Sequence, residues 1–267
     1  MNQPPRASIV IPAFNESASI AHVLEGLATI PGDYQIIVVN DGSTDGTREL
    51  LENTSGLTVI HHEENRGYGA SLMSGIREAH SEIIVTIDAD GQHDHNDIVR
   101  LLDQIADCAM VVGARTGGSY FYVSRIVGHR ILFLIAELWT GSTIPDINSG
   151  LRAFRKREAL RYEALLPDGF SFTTTLTLAL LKEKYPVRFV PIVTRKRVGR
   201  STFRLRYGIR VLRGIFRLMV LFRFSGKLSE QPRTRSFGSE LLDRGEQAIN
   251  HHSKSQTSVP ALDEESS

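Results

Sequence analysis

Five continuous apolar runs alternate with helical stretches over the first 112 residues, and three of them break off into turns that carry carboxylates. Residues 8–12 (SIVIP), 35–39 (QIIVV), 57–61, 82–87 (EIIVTI) and 109–112 read as buried strands, because apolar side chains on consecutive positions need cover on both faces. Helical patterns fill residues 17–29, 68–80 and 96–106, and Asp45 stands where its carboxylate can cap the helix after the Asn40-Asp41-Gly42-Ser43 turn. The pattern predicts an α/β fold with a mostly parallel sheet and helices on both faces. In such sheets ligands bind beyond the carboxyl ends of the strands. Here those ends carry Glu16, Asp41 and the run Asp88-Ala89-Asp90-Gly91-Gln92.

At 267 residues the chain has room for one large α/β domain with an appendage, or two small domains. One cysteine, Cys108, excludes an intramolecular disulfide and any multi-cysteine metal site, and suits a reducing compartment. The first apolar run is too short for a signal peptide, and no run of about 18 uncharged apolar residues predicts a transmembrane helix. The net charge of +1 conceals an asymmetry: thirteen Lys and Arg, and no acidic residue, lie between Glu183 and Glu230. A segregated basic stretch predicts an anionic partner: nucleic acid, a phosphorylated substrate or a membrane face.

Asp88 and Asp90, two residues apart at a strand end, offer hard oxygen ligands of the kind Mg²⁺ or Mn²⁺ takes, with phosphate oxygens and water completing the shell. Gln92 adds a neutral oxygen. An Asp-x-Asp triplet alone is a weak signal; its position after a buried strand, beside Asp41 and Glu16, strengthens it. Gly67-Tyr68-Gly69 opens a helix after a strand but lacks the third glycine of a dinucleotide fingerprint, since Leu72 stands there. His93-Asp94-His95 carries side chains of the kind zinc takes, but such loop histidines are more often solvated, and Cys108 reads as core.

Four segments, 8–16 (SIVIPAFNE), 36–47 (IIVVNDGSTDGT), 65–75 (NRGYGASLMSG) and 87–93 (IDADGQH), together resemble glycosyltransferase family 2, inverting enzymes with the GT-A fold. Asp146-x-x-Ser149-Gly150-Leu151-Arg152 and Gly199-x-Ser201 are similar to the polyprenyl-phosphate sugar transferases within it, such as dolichyl-phosphate mannosyltransferase. The resemblance runs from about residue 8 to 205. It implies that Pro12, Phe14 and Glu16 hold the base and ribose of a nucleotide sugar, with Val39 and Asp41 beside them. It further implies that Asp88, Ala89, Asp90 and Gln92 meet the diphosphate and a Mg²⁺ or Mn²⁺ ion, with Asp90 central. Arg115 would face the diphosphate or the acceptor, and Ser149, Arg152 and Arg130 the acceptor phosphate. Two positions depart from the pattern. Phe14 stands where Tyr is common, and Thr202 where Lys is common. Either Arg200 or Arg204 then supplies the missing charge, or phosphate binding at that corner is weaker.

The expected reaction moves a hexose from a GDP- or UDP-sugar to a polyprenyl (dolichyl or undecaprenyl) phosphate. Charge builds on the leaving diphosphate, which cations stabilise where water is excluded. A lipid phosphate is already anionic at neutral pH and needs no strong base, whereas a hydroxyl acceptor would need one, for which Asp146 is the candidate. Arg206, Arg210, Arg213 and Arg217 form one helical stripe among bulky aliphatics, and residues 121–139 repeat the pattern around Arg125, His129 and Arg130. Both fit helices lying on an anionic membrane surface, or else packing on the domain or in a dimer. Nucleic acid is disfavoured, because the Arg residues interleave with aliphatics and not with exposed aromatics. The expected organisation is a catalytic domain over residues 1–205 with an amphipathic insertion near 119–140, a membrane-surface helix at 206–225 and a flexible tail at 226–267. The expected location is cytoplasmic, peripheral on the inner face of the membrane. The rival readings are a transferase with a soluble or saccharide hydroxyl acceptor, and a non-catalytic nucleotide-sugar-binding protein.

Overall fold

The structure, a computed structural model, describes residues 5–116 and 134–195. The expected elements at Arg130, Arg200, 206–225 and 226–267 lie outside these residues. The amino-terminal apolar runs form β1 (Ala7–Ala13), β2 (Tyr34–Asp41), β3 (Thr58–His62), β4 (Ile83–Thr86) and β5 (Met110–Arg115). Between them run α1 (Ile20–Ala28), α2 (Thr47–Glu52), α3 (Tyr68–Glu78) and α4 (Asn96–Leu102). Residues 134–140 are helical (α5). The chain then adds β6 (Arg152–Arg155), α6 (Lys156–Arg161), α7 (Phe172–Lys182) and β7 (Val187–Ile192).

The seven strands lie in the order β3-β2-β1-β4-β6-β5-β7. All neighbours pair parallel except β6, which runs antiparallel between β4 and β5. Side chains alternate between the two faces as a pleated strand requires. Val38 joins Ile9, Ile11, Val85 and Val111 against α1 and α4, while Ile37 and Val39 join Val10, Ile84 and Met110 against α3 and α7. The expected α/β architecture with helices on both faces is therefore present. Pro191 is tolerated in β7 because that strand is the sheet edge, where one missing donor leaves no ladder bond broken.

The antiparallel β6 has a consequence for function. β5 runs in the same direction as β4, so Arg115 closes β5 at the same sheet edge as Asp88 and Asp90. Because β6 runs the other way, the loop that leads into it, residues 146–151, arrives at that same edge. Thr86 and Val112 both register with Arg152. One reversed strand thus gathers residues from three distant parts of the chain.

Candidate active site

The loops after β1 and β2 are laced together. Asn15, at a positive φ of 56°, accepts from Thr44 N through Oδ1 (2.8 Å), and its own N donates to Ser43 Oγ (3.0 Å). Glu16 N donates to Thr47 Oγ1 (3.0 Å) and Ser17 N to Asp45 Oδ2 (3.1 Å). Asp45 also accepts from Thr47 N, the first helical amide of α2, as its position predicted. These bonds fix the backbone around the exposed Phe14 ring and the half-buried Pro12 and Glu16. Glu16 Oε2 accepts from Ser19 Oγ (2.9 Å).

Asp41 ends β2 with both carboxylate oxygens engaged. Oδ1 lies 2.7 Å from His62 Nδ1 and accepts from Arg66 N (2.9 Å), while Oδ2 accepts from Gly67 N (2.8 Å). Its contribution to the crevice is to fold the loop that starts α3. Val39 is wholly buried, its side chain committed to the core.

At the end of β4, Asp90 is buried and its Oδ1 accepts from Gln92 N (3.1 Å), while Ala89 is buried between the two acids. Asp88 Oδ1 accepts from Tyr68 Oη (2.8 Å), and Oδ2 lies 3.7 Å from His93 Nε2, too long for a hydrogen bond. Burial pushes the Asp88 carboxyl up, but the His93 ring, the Tyr68 hydroxyl and the Arg115 charge outweigh it and hold the group below the usual carboxylate range. Its carboxylate rests on the Cα of Gly150, in space that a Cβ there would fill. Gln92 turns its side-chain amide to the Arg195 carbonyl (3.3 Å), and Arg195 N returns a bond to Gln92 O (2.8 Å). Arg195 also pairs with Asp94 (2.8 Å), so the chain beyond β7 is fastened to this loop.

Across the crevice edge, Arg115 and Asp146 form a two-pronged ion pair. Nε to Oδ2 is 2.7 Å and an Nη to Oδ1 is 3.1 Å, with further bonds to the carboxylate from Arg115 N and Asn148 N. Burial pushes the Asp146 carboxyl up, and the bonds and charge of Arg115 bring it below its ordinary value. A carboxylate with its oxygens so filled is a poor base.

Arg152 and Ser149, expected at an acceptor phosphate, lie in the interior. Both are wholly buried, because Arg152 lies in the middle of the sheet on the α7 face. Its guanidinium donates to Ser149 O (2.7 Å), Ile147 O (2.6 Å), Thr173 O (3.2 Å) and Thr177 Oγ1. Among the described residues Ser149 Oγ has no hydrogen-bond partner. Arg152 in this conformation fastens the 147–149 loop to α7. Arg152→Leu is expected to lower stability by about 1–3 kcal/mol in urea unfolding, since buried carbonyls lose a charged donor.

The structure therefore brings Asp88, Asp90, Gln92, Arg115 and Asp146 to one edge, sets Phe14, Glu16 and Asp41 on the neighbouring loops, and withdraws Val39, Ser149 and Arg152 into the interior. Reading the sequence missed two participants, Tyr68 and Gly150. Each sat inside a noted motif, but nothing in the linear order says that either touches Asp88.

The near-miss fingerprint at Gly67-Tyr68-Gly69 also has an explanation. The amides of Gly69 and Ala70 donate to Asp168 O (2.7 and 3.1 Å), and a Cβ at position 69 would overlap the Pro167 carbonyl. These glycines admit a loop of the protein itself where a dinucleotide site would admit pyrophosphate.

The model of glycosyl transferase family 2 matches residues 8–162. The chain belongs to that family. Among the relatives of this family 2 glycosyltransferase is the UDP-N-acetylglucosamine–dolichyl-phosphate N-acetylglucosaminyltransferase of Methanococcus voltae. The two are 31% identical over 213 residues, 70% of this chain and 84% of that one. The polyprenol monophosphomannose synthase of Mycolicibacterium smegmatis is 29% identical over 213 residues, 73% of this chain and 80% of that one. In fold, the glucosyl-3-phosphoglycerate synthase of Mycobacterium tuberculosis, solved with Mn²⁺, UDP and glucosyl-3-phosphoglycerate, aligns with a TM-score of 0.62. It is 23% identical, with 79% of this chain and 78% of that one covered. The family 2 chain thus has the GT-A type of α/β fold.

Proposed function

We propose that this glycosyltransferase moves a hexose, with inversion, from a nucleotide diphosphate sugar to a polyprenyl phosphate at a membrane surface. The observation that carries the reading is the convergence at one sheet edge of Asp88, Asp90 and the Asp146-braced Arg115. The two sequence relatives support the acceptor, since the name of each contains a polyprenyl or dolichyl lipid.

A divalent cation fits the acidic end of the crevice. No group of three or more His, Cys, Asp and Glu gathers among the described residues. Two aspartates completed by substrate phosphates and water match the way Mg²⁺ and Mn²⁺ are commonly held, and the Gly150 cradle fixes one of them. Asp88 and Asp90 would hold the ion, with Gln92 behind them through its backbone bond to Asp90. There it would neutralise charge growing on the diphosphate.

The chain's own residues do the rest. Phe14 offers a ring face at the crevice rim for the base, and Pro12, Glu16 and the Asp41-held loop shape its surroundings. Ala89 brings backbone close to the donor. Arg115, held by Asp146, is proposed to meet the diphosphate as the sugar C1–oxygen bond breaks and an acceptor phosphate oxygen bonds C1 from the opposite face. No proton need leave the acceptor, which agrees with an Asp146 kept ionised and occupied by Arg115. Arg200, or Arg204, and Arg130 are proposed to add phosphate contacts. The sequence-level basic and apolar stretches at 119–140 and 206–225 are proposed to seat the catalytic domain on anionic lipid. Among the described residues no helix is long and apolar enough to cross a membrane.

The test is transfer of label from GDP-mannose, UDP-glucose, UDP-N-acetylglucosamine and UDP-galactose into polyprenyl phosphate, with Mg²⁺ or Mn²⁺ present. Asp90→Asn is expected to lower turnover by a factor on the order of 10²–10³. Label released only as free sugar would move the acceptor to another class. Nucleotide-sugar binding without any turnover would leave a non-catalytic binding protein.

A further inference from the structure

Tyr68 is held from both sides. Before it, the amides of Arg66 and Gly67 are gripped by the Asp41 carboxylate (2.9 and 2.8 Å), with Gly67 at a φ of +105° that a side chain would resist. After it, Gly69 N and Ala70 N bond Asp168 O. The ring stacks on Phe170 at 5.2 Å between centroids with 21° between the planes. Asp41 is itself braced by His62, whose other ring nitrogen lies 3.0 Å from Ser74 Oγ on α3. The outcome is a phenol with little freedom, and its hydroxyl meets Asp88 Oδ1 at 2.8 Å.

We infer that Tyr68 is a positioning residue for Asp88: it holds Oδ1 so that the carboxylate meets a divalent cation in one preset orientation. The inference rests on the reading of Asp88 as a cation ligand. A carboxylate has about four lone-pair directions, and Tyr68 takes one of them. With Gly150 beneath the group and the hydroxyl at one oxygen, rotation about the Cβ–Cγ bond is restrained before any ion arrives. An outer hydrogen bond of this kind orients a ligand, and its loss commonly costs 10–100-fold in metal affinity. The hydroxyl also links the two ends of the crevice. Asp41 on the proposed base side fixes Gly67, Gly67 fixes Tyr68, and Tyr68 fixes Asp88 on the proposed phosphate side.

Tyr68→Phe tests this, because it keeps the ring, the stack on Phe170 and both glycines while removing one oxygen. Free Mn²⁺ would be followed by electron paramagnetic resonance as the ion is titrated into the full chain with GDP, and separately with UDP. Wild type, Tyr68→Phe and Asp90→Asn would be run side by side, with a thermal melt of each. The expected result is about tenfold weaker Mn²⁺ uptake by Tyr68→Phe, with a melting midpoint close to wild type. A purely structural tyrosine would move the melt and leave the Mn²⁺ midpoint in place, and that result overturns the inference. If wild type itself takes up no Mn²⁺ with either nucleotide, the metal-site reading fails and the inference falls with it. Uptake by wild type and Tyr68→Phe alike, lost only in Asp90→Asn, keeps the metal site and rejects Tyr68.

Discussion

Alanine at position 150 is expected to cost about 100-fold in Mn²⁺-dependent nucleotide binding and in sugar transfer while leaving the fold in place. The added methyl would overlap both oxygens of the Asp88 carboxylate. The backbone cannot retreat to make room. Thr86 Oγ1 donates to Gly150 O (2.7 Å), Gly113 N donates to Leu151 O (3.0 Å) and Arg152 Nε donates to Ser149 O (2.7 Å). These bonds clamp the segment on each side. The side chain of Asp88 is the part that yields, and in swinging away it leaves the Tyr68 hydroxyl. Crowding of this sort costs about 1–3 kcal/mol, a few degrees of melting temperature for a chain of this size. Isothermal titration of UDP or GDP with and without Mn²⁺, beside a circular dichroism melt, separates the two effects. Wild-type metal dependence in Gly150→Ala would refute the cradle.

Gly150 also marks how far the sequence could be read. The strands β1 to β5 were legible because each is a run of consecutive apolar residues, and the three acidic strand ends followed from them. Strand β6 was not, since Arg-Ala-Phe-Arg is four residues long and charged at both ends. Only in the folded chain does Arg155 send its guanidinium to the Cys108 and Ala106 carbonyls while Arg152 enters the core. The buried helix α7 was hidden for another reason. Its Thr173, Thr174, Thr175 and Thr177 are all buried, and β-branched residues in such density carry no helical stripe. With β6 and its direction unread, nothing in the sequence could say that the 146–151 loop meets β4 and β5. The motif there was legible as a motif, and its contacts were not. That is why neither the burial of Arg152 nor the contact of Gly150 with Asp88 could be foreseen.

Asp146→Asn is expected to lower kcat/KM for the nucleotide sugar about tenfold and to lower stability at pH 7 by about 1–3 kcal/mol. Both follow from the ion pair with Arg115. Asp146 is nearly buried and Arg115 about 40% exposed, so the pair is partly screened and the loss falls below that of a fully buried broken pair. Asparagine retains an oxygen for Asn148 N but has neither the charge nor the second acceptor that grips the guanidinium fork. Arg115 then loses its fixed direction toward the crevice. The stability loss has a definite pH signature. The folded-state pKa of Asp146 is held below its ordinary value of about 3.9. Its contribution is therefore fully present above about pH 4 and is lost as pH falls through the lowered folded value. Urea midpoints of wild type and Asp146→Asn should differ most at neutral pH and converge in that acid window. The kinetic profile distinguishes positioning from base catalysis. A general base would take 10²–10⁴-fold in rate with it, along with the acid limb of the pH–rate curve. A brace for Arg115 leaves that limb in place and raises the KM for the nucleotide sugar.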